Sequence, residues 1–280
     1  HTLCPMRHLK PALYVFALNV IISIYLQLNN VLLGFMKDTE AVGYFTAATK
    51  IMVITMSISS ALGAVIMPRT SNLIAEERMD EFKALVQKSY DFIFALAMPL
   101  MVGLIFTSPS AVLLLSGEGF VPAILTSQIV AFNILTVGLS GVMGIQVLYP
   151  LGKINIVILC TSIGAIINVF LNVLLIPRYG HNGTAVAYML AEMTVTVSMF
   201  FIGKRYIPIR FLKRQHLNYV LGSVVMGVCL YFISWLGLGN TATLVMMISM
   251  GGIVYVVILL FLRDSIGMIP WKILREKFGK

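Results

Sequence analysis

Two charged side chains stand inside long apolar runs, and they are the residues best placed to do chemistry. Lys50 lies within residues 42–67 and Glu192 within residues 184–203. If both runs are helical, each charge lies about 12 Å from the start of its run. A charge at this depth is costly unless it faces water, an oppositely charged partner or a ligand. Lys50 either anchors a phosphate or acidic sugar in a polar cavity, or extends its long stem to the outer interface.

Glu192 has three interpretations. Its carboxylate lies at the same predicted depth as the Lys50 ammonium, so the two could form an ion pair. Such a pair could serve a substrate site, or could do no more than hold two helices together. Alternatively, Glu192 takes up a proton during a transport cycle.

Several amide side chains lie within the apolar runs close to these charges. They either line a sugar-binding cavity or hydrogen-bond one helix to another. Four of them cluster in the first run, which favours a cavity there, and two share one face of a later helix. These amides are Asn19, Gln27, Asn29, Asn30, Gln128, Asn133, Gln146, Asn168 and Asn172. The candidates for the cavity wall are Asn19, Gln27, Asn29, Asn30, Asn168 and Asn172.

The apolar runs that carry these residues are long enough to cross a membrane. Hydrophobic residues make up 59% of the chain and charged residues 11%, whereas about a quarter of a soluble domain is charged. Residues 154–176 contain no charge and would form about 34 Å of helix, against a bilayer core of about 30 Å. Because lipid leaves no backbone polar group unpaired, the runs are predicted to be helices. The fold class is therefore an all-α integral membrane protein.

We predict about eight transmembrane helices. Pro177 and the glycine-containing segment 179–183 make the fifth and sixth a hairpin. Residues 68–90 have the mixed pattern of a helix on the membrane surface, and residues 111–120 form a second short apolar piece. Residues 1–206 form one six-helix unit, and residues 207–280 contain a basic loop, two further helices and a basic tail. The predicted helices cover residues 11–36, 42–67, 92–108, 122–149, 154–176, 184–203, 217–238 and 241–262.

The formal net charge of +9 reflects membrane orientation and not nucleic-acid binding. Of the twenty Lys and Arg residues, seventeen are predicted to lie on the side of the membrane that holds both termini. Only Lys37 and Arg178 are predicted on the opposite side, and Lys50 lies within a helix. This asymmetry places both termini of the segment in the cytoplasm. The first residue is His, which indicates a piece of a longer protein.

The sequence does not predict an enzyme or a cofactor. It contains no GxSxG, HExxH or phosphate-binding loop motif. The three cysteines, Cys4, Cys160 and Cys229, have no paired spacing, and packing is their expected role.

Several segments together resemble the second half of bacterial polysaccharide flippases. These are residues 34–51 (GFMKDTEAVGYFTAATKI), residues 65–76 (VIMPRTSNLIAE) and the hairpin with Asn168, Asn172, IPRYG and GTAVAYMLAE. Such flippases are the O-antigen and polysaccharide transporters of the multidrug/oligosaccharidyl-lipid/polysaccharide exporter superfamily. Lys50 falls on the lysine of a family pattern that begins with Gly43 and Tyr44. Asn29 differs from the Asp that many relatives carry at that position.

The resemblance implies two six-helix lobes around a central cavity. The first six helices would be the second lobe, the last two would be extra C-terminal helices, and the partner would be a missing N-terminal lobe. The substrate would be an undecaprenyl-diphosphate-linked oligosaccharide, moved to the outer leaflet of the bacterial cytoplasmic membrane by alternating access. The expected partners are therefore this substrate, the missing lobe and membrane lipid. A nucleic-acid partner is not expected.

Two other functions compete with this one. A drug or cation efflux antiporter of the same superfamily would favour acids and aromatics in its cavity. A membrane scaffold without transport would tolerate Lys50→Ala and Glu192→Ala.

Overall fold

A computed structural model describes residues 13, 16, 20, 27–206, 209–211 and 213–262, with the backbone alone at residues 58–64. Within this part of the chain, all regular secondary structure is helical. We call the described helix at residues 27–36 α1. The others are α2 (Thr39–Ala75), α3 (Met79–Ser116), α4 (Ala123–Val130), α5 (Asn133–Gly141), α6 (Ile154–Gly203), α7 (Arg214–Ser234) and α8 (Asn240–Phe261), with a 3₁₀ turn at Glu118–Phe120 and a π-helical segment at Val142–Leu148.

The all-α membrane class is confirmed. Five segments of the described chain are long and apolar enough to cross a membrane: Met79–Ser116, Ala123–Leu148, Ile154–Gly203, Arg214–Ser234 and Asn240–Phe261. The 50-residue α6 reverses direction within itself, so it supplies two passes. Counting α2, the described helices supply seven passes. Most of residues 11–26, the first part of the first predicted helix, lie outside the described residues. The basic tail after residue 262 lies outside the described residues.

The hairpin predicted at residues 179–183 is present within α6. Gly180 has φ 54° and ψ −132°, a conformation that residues with a side chain rarely adopt. Just beyond it, a Cβ atom on Gly183 would lie 2.6 Å from the carbonyl oxygen of Leu175. Further along the two arms, a Cβ on Gly164 would lie 2.3 Å from Val195 Cγ2. The arms therefore pack in close contact over much of their length.

The surface helix predicted over residues 68–90 is wrong. Helix α2 continues through Pro68 to Ala75, and α3 begins at Met79, so the segment forms the ends of two long helices. Near Pro68, the hydroxyls of Thr70 and Ser71 donate to the Met67 carbonyl at 2.8 and 3.1 Å. The apolar residues Leu73, Phe82 and Val86 are buried in a cluster with the end of the π-helical segment and α6.

The short separate piece predicted over residues 111–120 is also wrong. Helix α3 runs without interruption through Pro99 and Pro109 to Ser116. It ends at Gly117, whose φ of 87° reverses the chain into the 3₁₀ turn.

Asp91 joins α3 to the segment that precedes α7. Its side chain is buried, and the residue is only 7% exposed. Its carboxylate accepts hydrogen bonds from Lys213 Nζ at 2.7 Å, His216 Nε2 at 2.9 Å and Gln87 Nε2 at 2.8 Å. Deeper in the molecule, the Tyr255 hydroxyl of α8 donates to the Ala95 carbonyl at 2.6 Å. The two last helices are thus attached to α3.

Candidate functional site

A cavity of about 370 Å³ lies between α1, the middle of α2 and the second arm of α6. Its wall includes four of the residues predicted from the sequence, namely Gln27, Asn29, Asn30 and Lys50. The remaining wall residues are Phe45, Thr49, Met52, Val53, Ile54 and Tyr188. We call this space the Lys50 cavity.

The Lys50 side chain is exposed at this cavity. Among the described residues, it forms no ion pair, so its ammonium group is not neutralised by a neighbouring acid. The ion pair with Glu192, one of the alternatives that the sequence left open, is therefore not formed between these two described side chains. A cation in this position can bind the oxygen atoms of an anionic group that enters the cavity.

Glu192 is buried, with 9% of its surface exposed, and it is engaged in contacts of its own. It follows Tyr188 by one helical turn on the second arm of α6, and Tyr188 is on the cavity wall. The wall of the Lys50 cavity thus carries a cation, while the carboxylate is held in the packed interior.

Asn29, Asn168 and Asn172 form a buried amide cluster that joins α1 to the first arm of α6. Asn172 Nδ2 donates to Asn29 Oδ1 at 2.8 Å, to the Asn168 carbonyl at 3.0 Å and to Asn168 Oδ1 at 3.1 Å. All three side chains are at most 1% exposed. Asn168 and Asn172 are absent from the cavity wall, so these two amides connect helices, whereas Asn29 belongs to both the cluster and the wall.

Gln27 and Asn30 stand on the more open side of the cavity. Asn30 Oδ1 accepts a hydrogen bond from Thr46 Oγ1 at 3.4 Å, which is a long contact. These amides are consequently available to hydrogen-bond a ligand. Asn19, the other amide predicted from the first run, lies outside the described residues.

Two further buried polar residues are Asn133, one of the amides considered from the sequence, and Thr184, which sequence reasoning did not single out as polar. Both amide atoms of Asn133 in α5, and the hydroxyl of Thr184 in α6, are buried without a hydrogen-bond partner among the described residues. The sequence does not predict whether an amide or a hydroxyl in an apolar run is buried without a hydrogen-bond partner, because this depends on how each helix is rotated about its axis.

The chemistry of the wall suits binding better than bond breaking. Amides and the Thr49 hydroxyl can hydrogen-bond sugar hydroxyls, and the edge-to-face pair of Phe45 and Tyr188, with ring centres 6.5 Å apart, adds aromatic surface. Within the described chain, no three His, Cys, Asp or Glu side chains are grouped to hold a metal ion.

Known proteins share both sequence and fold with this chain. A family model described as "Polysaccharide biosynthesis protein" matches residues 7–125. A probable low-salt glycan biosynthesis flippase of Haloferax volcanii is 24% identical over 237 residues, which are 84% of this chain and 50% of that protein. An uncharacterized membrane protein of Methanocaldococcus jannaschii is 21% identical over 62% of this chain and 34% of its own length. The chain therefore spans half or less of these relatives.

Two solved structures have the same fold. The lipid II flippase MurJ, in an inward closed conformation, superposes with a TM-score of 0.76 at 17% identity, over 90% of this chain and 53% of that one. A transporter from Pyrococcus furiosus, of the superfamily abbreviated MOP, superposes with a TM-score of 0.61 at 16% identity. The match covers 88% of this chain and 60% of that one. The chain is therefore similar in sequence to a polysaccharide biosynthesis family over residues 7–125 and to a probable flippase over most of its length, and it has the fold of the two solved transporters.

Proposed function

We propose that the chain is the second lobe of a flippase that moves a lipid-linked oligosaccharide across the cytoplasmic membrane. The observation that carries this proposal is the Lys50 cavity, which combines one unneutralised cation with amides and a hydroxyl. Lys50 would bind the diphosphate, while Gln27, Asn29 and Asn30 would bind the first sugars. Glu192, Asn168 and Asn172 would support the site from behind its wall.

The finer features of the activity follow the family resemblance. The substrate is an undecaprenyl-diphosphate-linked oligosaccharide in a bacterial cytoplasmic membrane, and it moves from the cytoplasmic to the outer leaflet. A second six-helix lobe completes the cavity, residues 1–206 form the lobe described here, and the two lobes rock to give alternating access. Both termini of the segment are cytoplasmic, in line with the distribution of Lys and Arg.

Substitution of Lys50 tests this function in the full-length protein. We expect Lys50→Ala to reduce surface polysaccharide at least about tenfold, because a charge-assisted contact of about 1.5–3 kcal/mol is lost. The Lys50→Arg variant, which keeps the positive charge, should retain most of the surface polysaccharide. The matched control is Lys37→Ala, which removes an exposed cation at the turn before α2. The measurement is the amount of lipid-linked oligosaccharide accessible to a glycosidase added outside spheroplasts.

The same experiment separates the competing functions. An efflux antiporter would keep surface polysaccharide and lose drug resistance in Lys50→Ala. A scaffold would show neither change, and either result would overturn the proposed flippase. The cation on the described part of the wall favours an anionic substrate over a cationic drug.

A further inference from the structure

A second cavity, of about 410 Å³, lies at the opposite end of the molecule from the α6 turn. Three separate pieces of chain meet there: the start of α3, the turn before α6 and the segment that follows α6. Their basic contributions are Lys83, Lys204 and Arg205, all of them exposed. We call this space the basic pocket.

The floor of the basic pocket is apolar. Met79, Phe82 and Leu151 line it, and Phe82 is only 1% exposed because it is anchored in the core. Tyr206 closes one side, and Lys153 Nζ lies 4.9 Å from the centre of its ring. A fourth cation thus stands next to the pocket and holds its wall in place through a cation–π contact.

The charge of the basic pocket is only slightly compensated. None of the described residues on its wall is acidic. Lys83 Nζ contacts Asp80 Oδ1 at 3.3 Å, but the Asp80 side chain is 99% exposed, so this ion pair is weak. Lys204 and Arg205 form no ion pair within the described chain.

We propose that the basic pocket binds the phosphate headgroup of an anionic phospholipid from the leaflet on the basic side of the protein. The two non-bridging oxygens of a phosphate diester share one negative charge and can accept hydrogen bonds from the three cations, and the apolar floor can contact the first part of the acyl chains. A soluble phosphate would gain nothing from Met79, Phe82 and Leu151. Basic pockets between helices at the cytoplasmic interface have the chemistry that anionic headgroups require. The site is distinct from the Lys50 cavity and does not depend on transport.

Lipid retention by the full-length protein tests this site. The protein would be purified from nanodiscs of phosphatidylglycerol or of phosphatidylcholine, and its bound lipids counted by native mass spectrometry. We expect phosphatidylglycerol to be retained and phosphatidylcholine to be lost. A variant with Lys83→Gln, Lys204→Gln and Arg205→Gln should bind phosphatidylglycerol at least about tenfold more weakly, since each cation near a membrane surface contributes to binding.

The matched control removes the same charge from the same end of the molecule. Lys88→Gln, Arg210→Gln and Arg214→Gln alter three exposed cations that are not on the pocket wall. Equal losses in both triple variants would overturn the proposal, because general surface charge would then explain the retention. Displacement of the lipid by inorganic phosphate would also overturn it, because the pocket would then favour a free anion. Nanodiscs offer both leaflets, so the result does not depend on the membrane orientation or on flippase activity.

A second measurement needs no variant. A phosphatidylglycerol analogue with a photoreactive group near its headgroup should label peptides that contain Met79–Lys83, Leu151 or Lys204–Tyr206. Labelling spread evenly over the lipid-facing helices would contradict the assignment.

Discussion

At the scale of single residues, the polar side chains in the membrane divide into two kinds. Lys50, Gln27 and Asn30 face a cavity, while Asn168 and Asn172 are enclosed and bonded to each other. The clustering of amides in the first run favoured a cavity there, but the sequence could not show which single residues face it, because both kinds are amides or charges in apolar runs. What separates them is the rotation of each helix about its axis, which depends on packing.

The division predicts different effects for Asn172 and Asn30. Asn172→Ala removes the donor shared by Asn29 and Asn168, so we expect a loss of about 1 kcal/mol in stability. Asn30→Ala should leave stability nearly unchanged and reduce transport, because only one long contact with Thr46 is lost. Thermal unfolding in detergent and the oligosaccharide accessibility assay measure the two effects. Equal stability losses would show that both amides are structural.

Asp91 illustrates a partnership that a sequence does not reveal. Its partners Lys213 and His216 are more than a hundred residues away along the chain. Asp91→Ala would leave the buried imidazole of His216 and the ammonium of Lys213 without their acceptor, at a cost of about 1–3 kcal/mol. We expect faster proteolysis of residues 204–213 in this variant. The control Asp80→Ala, which removes an almost fully exposed carboxylate, should leave the proteolysis rate unchanged.

At the scale of elements, sequence patterns located the helices better than their ends. The hairpin was predictable because proline and glycine act locally on the backbone. Residues 68–90 were misread because the ends of long helices at the membrane interface have the same mixed composition as a helix that lies on the membrane surface. Pro68 and Pro109 did not end their helices, since a proline removes a single donor and the long flanking segments maintain the helix.

The α6 hairpin makes a prediction about one of its glycines. Gly183→Ala would place a methyl group 2.6 Å from a backbone oxygen, which cannot move aside as a flexible side chain can. We expect a destabilisation of about 1–3 kcal/mol, typical of overpacking. Gly103→Ala is the control, because a Cβ there meets no atom within 4 Å. Similar unfolding temperatures for the two variants would show that the close approach of the arms is not required.

At the scale of the whole molecule, the turns gather at two opposite ends. At one end, Tyr44 contacts Phe120 and His181, with ring centres 5.6 and 5.1 Å apart. At the other end, Gln87 Oε1 accepts from the Arg210 backbone N–H at 2.7 Å, and Lys153 lies over Tyr206. The second end holds most of the described cations, and from this charge distribution we propose that it faces the cytoplasm.

This orientation predicts which engineered thiols a membrane-impermeant maleimide reaches in intact spheroplasts. In a full-length protein without native cysteines, Glu118→Cys should be labelled from outside, because it stands exposed in the 3₁₀ turn near Tyr44. Glu77→Cys, exposed in the turn between α2 and α3, should be labelled only after the membrane is permeabilised. The reverse pattern would place the basic end outside and exclude the proposed direction of transport. Labelling of both thiols from one side would contradict the crossing of α3 itself, because the two positions flank that helix.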